Sequence, residues 1–99
     1  MLIKKNQTQK FENSPECSVF EYSLPSEFFS FARAFIDGRY PQEKRVINEE
    51  CEEIYYVVSG EAIIHSEKGD FEINEGDLYF FEKGEIYWVE GKQLSLILV

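Results

Sequence analysis

The chain has 99 residues and sets 10 Lys+Arg against 19 Asp+Glu, a formal net charge of −9. So large an acidic surplus repels phosphate backbones and anionic bilayer surfaces, which argues against nucleic acid and membranes as partners. The length suits one domain, and so small a core must be dense or shared with a second subunit; with 16% aromatic residues it can be dense, since each ring buries roughly 150–250 Å².

No basic start followed by an apolar stretch opens the chain, and no apolar run nears the roughly 20 residues that span a bilayer. A soluble, cytoplasmic protein is the expectation. Cys17 and Cys51 are the only cysteines, and in such a chain they read as free thiols.

Residues 1–16 are polar, with Lys4, Lys5, Asn6, Gln7, Thr8, Gln9 and Lys10 in a row, and predict a loosely ordered arm or an edge strand. A single domain is expected over residues 17–99. Residues 17–24 suggest a short strand closed by Pro25 and Ser26. Over residues 28–37, Phe29, Phe31, Arg33 and Phe35 share one parity and Ser30, Ala32, Ala34 and Ile36 the other, which predicts a strand ending at an Asp37-Gly38 turn. Downstream, short strands over 54–58, 61–66, 71–73, 78–81, 86–89 and 94–99 are separated by breaks that each carry a glycine. This spacing predicts an all-β sandwich or barrel.

Residues 54–58 and 78–81 are apolar on both parities, so both of their faces should be covered, one by the interior and one by a second copy. A homodimer sharing Ile54, Tyr56 and Trp88 is expected.

Two sequence blocks carry a further signal. In the first, six residues separate Glu53 from Gly60; in the second, Gly76-Asp77 is followed by Gly84. Together they resemble the cupin family, whose blocks have this spacing, over most of residues 28–99. The resemblance implies a small cupin-type β-barrel, a double-stranded β-helix or jelly roll. It also implies a metal held by two histidines and a glutamate in the first block and a histidine in the second. Here only Glu53 remains at those positions. The paired histidine positions fall on Ile47 and Glu49, or on Val46 and Asn48, and Tyr87 stands where the second block has its histidine. Glu82 takes a proline position and Gly91 an asparagine position. The segment Gly38-Arg39-Tyr40-Pro41, with Asn48 and Cys51, is similar to small cupins that lack the metal histidines.

If residues 47–55 were extended, Glu49, Cys51, Glu53 and Tyr55 would share a face, an alternative metal set of two carboxylates and a thiolate that competes with a solvated acidic turn. His65, the only histidine, shares its parity with Ile63 and reads as a surface residue rather than a base. Tyr87 either binds a ligand through its ring and hydroxyl or fills the barrel while bonding Glu53 or Glu49. Arg33 either pairs inside with Glu53 or a ligand carboxylate, or lies outside with its stem over a ring. Arg39 and Arg45 read as solvated, and Glu82, Lys83 and Glu85 as a charged turn.

The sequence therefore predicts a metal-free, cofactor-free cavity lined by Tyr40, Glu49, Cys51, Glu53, Tyr55 and Tyr87, with Arg33 a further candidate. Its partner would be a small polar or aromatic molecule held by carboxylates and phenols. The alternatives are a metal-free isomerase or epimerase using a Glu and Tyr pair, and a metal enzyme with Glu and Cys ligands.

Overall fold

The computed structural model describes residues 1–99. After a 3-10 turn at Lys5–Gln7 come eight strands: β1 Gln9–Ser14, β2 Cys17–Tyr22, β3 Phe31–Tyr40, β4 Val46–Ile47, β5 Glu53–Ser66, β6 Gly69–Asn74, β7 Leu78–Phe81 and β8 Ile86–Leu98. They form one antiparallel sheet in the order β1-β2-β3-β8-β5-β6, with β4 paired to β8 and β7 to β5. The protein is all-β, as its punctuation predicts. No helix is long and apolar enough to cross a membrane.

Four expected elements are merged into two. Residues 54–58 and 61–66 are halves of β5, and residues 86–89 and 94–99 lie on or just beyond β8. The glycines between them mark bends inside continuous strands, because the interior demands a change of direction without a loss of pairing. Gly60 has φ 82°, and a Cβ there would stand 2.1 Å from the Gln93 carbonyl oxygen. No side chain fits, so the closest approach of β5 to β8 depends on glycine at this position.

The β3 boundaries also differ from expectation. The strand begins at Phe31, not residue 28, because the Phe28 N–H bonds the Ser26 hydroxyl at 3.1 Å in a local turn. It then passes through Asp37-Gly38 as a bulge, where its register against β8 shifts. The expected arm contributes β1, which runs along the sheet edge against β2.

Alternation decides the interior. Ala32, Ala34 and Ile36 from β3, Tyr55 and Val57 from β5, Phe81 from β7, and Tyr87, Val89, Leu94 and Leu96 from β8 are all buried. Burying these apolar groups at roughly 25 cal/mol per Å² is the main stabilising term. The other β3 parity faces out, and Arg33 with it. Its guanidinium bonds Ser95 Oγ and the Leu96 carbonyl oxygen and lies 5.4 Å from the Phe35 ring.

Two outward residues are covered by the chain itself. Trp88 is sandwiched between the His65 ring at 3.9 Å and the Arg39 guanidinium at 4.0 Å. His65 faces outward, as its parity with Ile63 requires, and meets Asp70 at 2.9 Å and Glu90 at 2.8 Å. Arg39, expected in solvent, also donates to the carbonyl oxygens of Pro41 and Lys44.

Candidate functional site

The two sequence blocks meet as paired strands. Glu53 lies opposite Phe81 and Tyr55 opposite Tyr79 in the β5–β7 ladder, while β8 brings Tyr87 opposite Ser66. Gly76-Asp77, the opening of the second block, is tied to β5: the Gly76 N–H donates to the Val57 carbonyl, and the Val57 N–H to the Asp77 carbonyl. Gly84 donates to the Asn48 carbonyl at 2.7 Å, fixing the loop before β5.

These constraints bring Glu53, Tyr55 and Tyr87 together. The Tyr87 hydroxyl donates to Glu53 Oε1 at 3.0 Å. Phe81 packs 4.1 Å from the Tyr87 ring and 4.7 Å from Tyr55, which meets Tyr87 edge-on at 6.3 Å. Burial raises the Glu53 carboxyl above its ordinary value, and the Tyr87 hydrogen bond offsets part of that. Burial and the neighbouring carboxylate push the Tyr87 phenol far up, so it remains a donor. Tyr55 is raised in the same sense, by burial first.

Tyr40 is half-buried against this cluster, and its hydroxyl accepts from the Asn13 side-chain amide at 3.4 Å. Burial raises it, and Cys17 adds to the shift. Cys17 is a free thiol sealed in the core and pushed up to about 11.

The remaining predicted residues are not brought into the cluster. Residues 48–52 are not extended, because the Asn48 side-chain oxygen accepts from the N–H groups of Glu50 and Cys51 and so closes an Asx turn. Glu49 consequently projects into solvent. Cys51 is an exposed free thiol that accepts from Asn48 Nδ2 at 3.0 Å. It stays on the rim. Arg33 is on the opposite face of the sheet, as described above.

A cavity of about 630 Å³ opens at the end of the sheet where β3 and β5 begin and β8 finishes. Its wall includes Val19, Glu21, Phe28, Phe29, Cys51 and Glu53. Glu21, Phe28 and Phe29 line this cavity and are not among the candidates that the sequence offers. Two adjacent aromatics in a Pro/Ser loop outside any strand were the available signal, since exposed apolar surface there needs a reason.

Glu85 departs from the expected charged turn. Its side chain is buried, not part of a solvated turn, and accepts from Tyr79 at 2.6 Å, Ser66 at 2.7 Å and the Glu82 N–H at 3.0 Å. Burial alone would raise its carboxyl, but these bonds and Lys68 outweigh it and hold the group below its ordinary value. In return Tyr79 is pushed up to about 12, by burial first.

One antiparallel sheet with an aromatic interior and a glutamate in the wall of the cavity at one end defines a small jelly-roll container. Residues 34–94 match the EutQ-like cupin domain, more than half of the chain, and the chain belongs to that cupin family. Among curated proteins it is similar to one from Saccharolobus solfataricus named "Putative dioxygenase SSO1533", with 37% identity over 60 residues that cover 50% of this chain and 16% of the relative. The chain thus spans about a sixth of that relative's length.

Solved structures share the fold. Streptomyces Pac13, in a variant bound to uridine, superposes with a TM-score of 0.88 at 14% identity, over 99% of this chain and 78% of its own; another Pac13 structure describes it as a nucleoside dehydratase. Ectoine synthase from P. lautus gives a TM-score of 0.83 at 15% identity, over 99% of this chain and 75% of its own.

The metal that the family's blocks imply does not fit the residues found here. Glu53 is present, but the Tyr87 hydroxyl is committed to it as a donor, Ile47 and Glu49 are exposed, and Val46 is apolar. No three His, Cys, Asp or Glu side chains converge as a ligand set, which also removes the grouping of Glu49, Cys51 and Glu53.

Proposed function

We propose that this cupin binds a small molecule at the open end of its sheet through Glu53, without a step that runs through a metal. Glu53 carries the reading because it belongs both to the cavity wall and to the buried phenol cluster. A ligand donor entering the cavity meets a carboxyl served by one hydrogen bond, with acceptor capacity to spare. The raised Glu53 also holds its proton to a higher pH than a solvated carboxyl, so it can donate to a ligand acceptor as well as accept from a ligand donor. Tyr87 keeps that carboxyl in place and Tyr55 seals the space behind it.

The same pair favours a second reading, in which the bound molecule is isomerised or dehydrated by proton transfer through Glu53. A carboxyl with a perturbed titration in a cleft is a common signature of such sites. A small-molecule fragment screen by protein NMR tests the binding reading. Ligands should perturb residues 26–32 and 51–54, and Glu53→Gln should weaken them by about tenfold or more. Unchanged affinity in Glu53→Gln rejects it.

Homodimerisation belongs to the same proposal. Ile54, Tyr56, Leu78 and Phe80 form an outward apolar group in the β5–β7 ladder, with Tyr56, Leu78 and Phe80 exposed, and a second copy would cover it. Trp88 would not take part, since His65 and Arg39 already cover it. Light scattering at micromolar concentration should give a dimer mass; a monomer rejects this.

A further inference from the structure

The charge of the opening sorts what can enter it. Resting on the binding reading above, we propose that the cavity selects an organic cation, an amine or ammonium group on an apolar body, and turns away carboxylates and phosphates.

The charged residues of the wall are all glutamates, Glu21, Glu27, Glu52 and Glu53; no lysine, arginine or histidine lines it. Arg33, the sequence neighbour of the wall residue Ala32, is engaged on the outer face by Ser95 Oγ and the Leu96 carbonyl oxygen. An entering carboxylate would give up its hydration among like charges and gain no countercharge.

A cation finds two complementary surfaces in the same opening. The carboxylates attract it, and Phe28 and Phe29, 92% and 64% exposed, offer ring faces and apolar area to its body. The arrangement suits an organic cation better than a metal ion. The acids are spread along the wall and nowhere converge as a set of three donors, whereas a metal needs several oxygens at one point. Dispersed charge beside exposed phenyl rings matches a charge carried on carbon.

Three probes of nearly one shape and different charge test this: 2-phenylethylamine, 2-phenylethanol and phenylacetate, titrated by NMR at neutral pH and low salt. The amine should bind about tenfold or more tighter than the alcohol, and phenylacetate more weakly than either. Its advantage should shrink at about 0.5 M NaCl, where charges more than a few ångströms apart are screened. Glu21→Gln combined with Glu52→Gln, both at exposed positions, should weaken the amine several-fold more than it weakens the alcohol. Equal binding of all three probes, tighter binding of phenylacetate or the alcohol, or amine shifts mapped away from residues 26–32 and 51–54 overturns the charge selection while leaving a Glu53-dependent binding site standing. No shift with any probe at millimolar concentration overturns both readings.

Discussion

Two pairs of glutamate and tyrosine, each with one buried and one half-buried member, sit in this small sheet and are built to opposite ends. Glu85 accepts from Tyr79, Ser66 and the Glu82 backbone and has Lys68 nearby at 3.7 Å. Glu53 accepts from Tyr87 alone among side chains. The first carboxyl is lowered because its bonds outweigh its burial; the second is raised because one bond does not. The same two residue types make a clasp in one place and an available acid in the other, and the number of donors decides which.

The largest effect should come from breaking the clasp. Glu85→Ala leaves a tyrosine hydroxyl, a serine hydroxyl and a backbone N–H without their acceptor, and it should cost about 3 kcal/mol in urea unfolding. Glu85→Gln, which keeps the shape and one acceptor, should cost less. Glu53→Gln should do the reverse at neutral pH. It removes a carboxyl that is penalised when ionised, so stability should be unchanged or higher by about 1 kcal/mol.

The pH dependence separates the two carboxyls by sign. Glu85 has a lowered folded value, so its contribution is present above the unfolded carboxyl value of about 4.3 and is lost as pH falls through the folded one. Glu53 has a raised folded value, so its contribution is present below about 4.3 and is lost as pH rises through the folded one. Melting temperatures measured across this window should therefore show Glu53→Gln gaining on the parent as pH rises and Glu85→Gln falling behind it. Parallel curves for the two variants would erase the distinction.

The smallest predicted change is at Cys51. It is exposed and outside the buried cluster, so Cys51→Ser should alter stability by less than about 0.5 kcal/mol.

Sequence legibility followed the same division. The strand identities of β5 and β7, the outward parity of His65 and the closeness of Glu53 to Tyr87 could be read because alternation and block spacing report local geometry. Glu85 could not, because its donors come from β5, β7 and its own turn, and nothing local marks a carboxylate that the fold will bury. Glu49 was misplaced for a related reason: parity arguments assume an extended chain, and the Asn48 side chain bends it first. Gly60 and Gly91 were read as breaks because a sharp turn and a bend within a strand need the same residue.

Glu53 is an underserved, raised carboxyl at the opening. The direct test is carbon-13 NMR titration of the Glu53 side-chain carboxyl in the parent protein and in Tyr87→Phe. The expected result is a titration above the ordinary carboxyl range that moves higher when the phenol is removed, since that hydrogen bond lowers it. A Glu53 that titrates at or below the ordinary range and does not respond to Tyr87→Phe would contradict it.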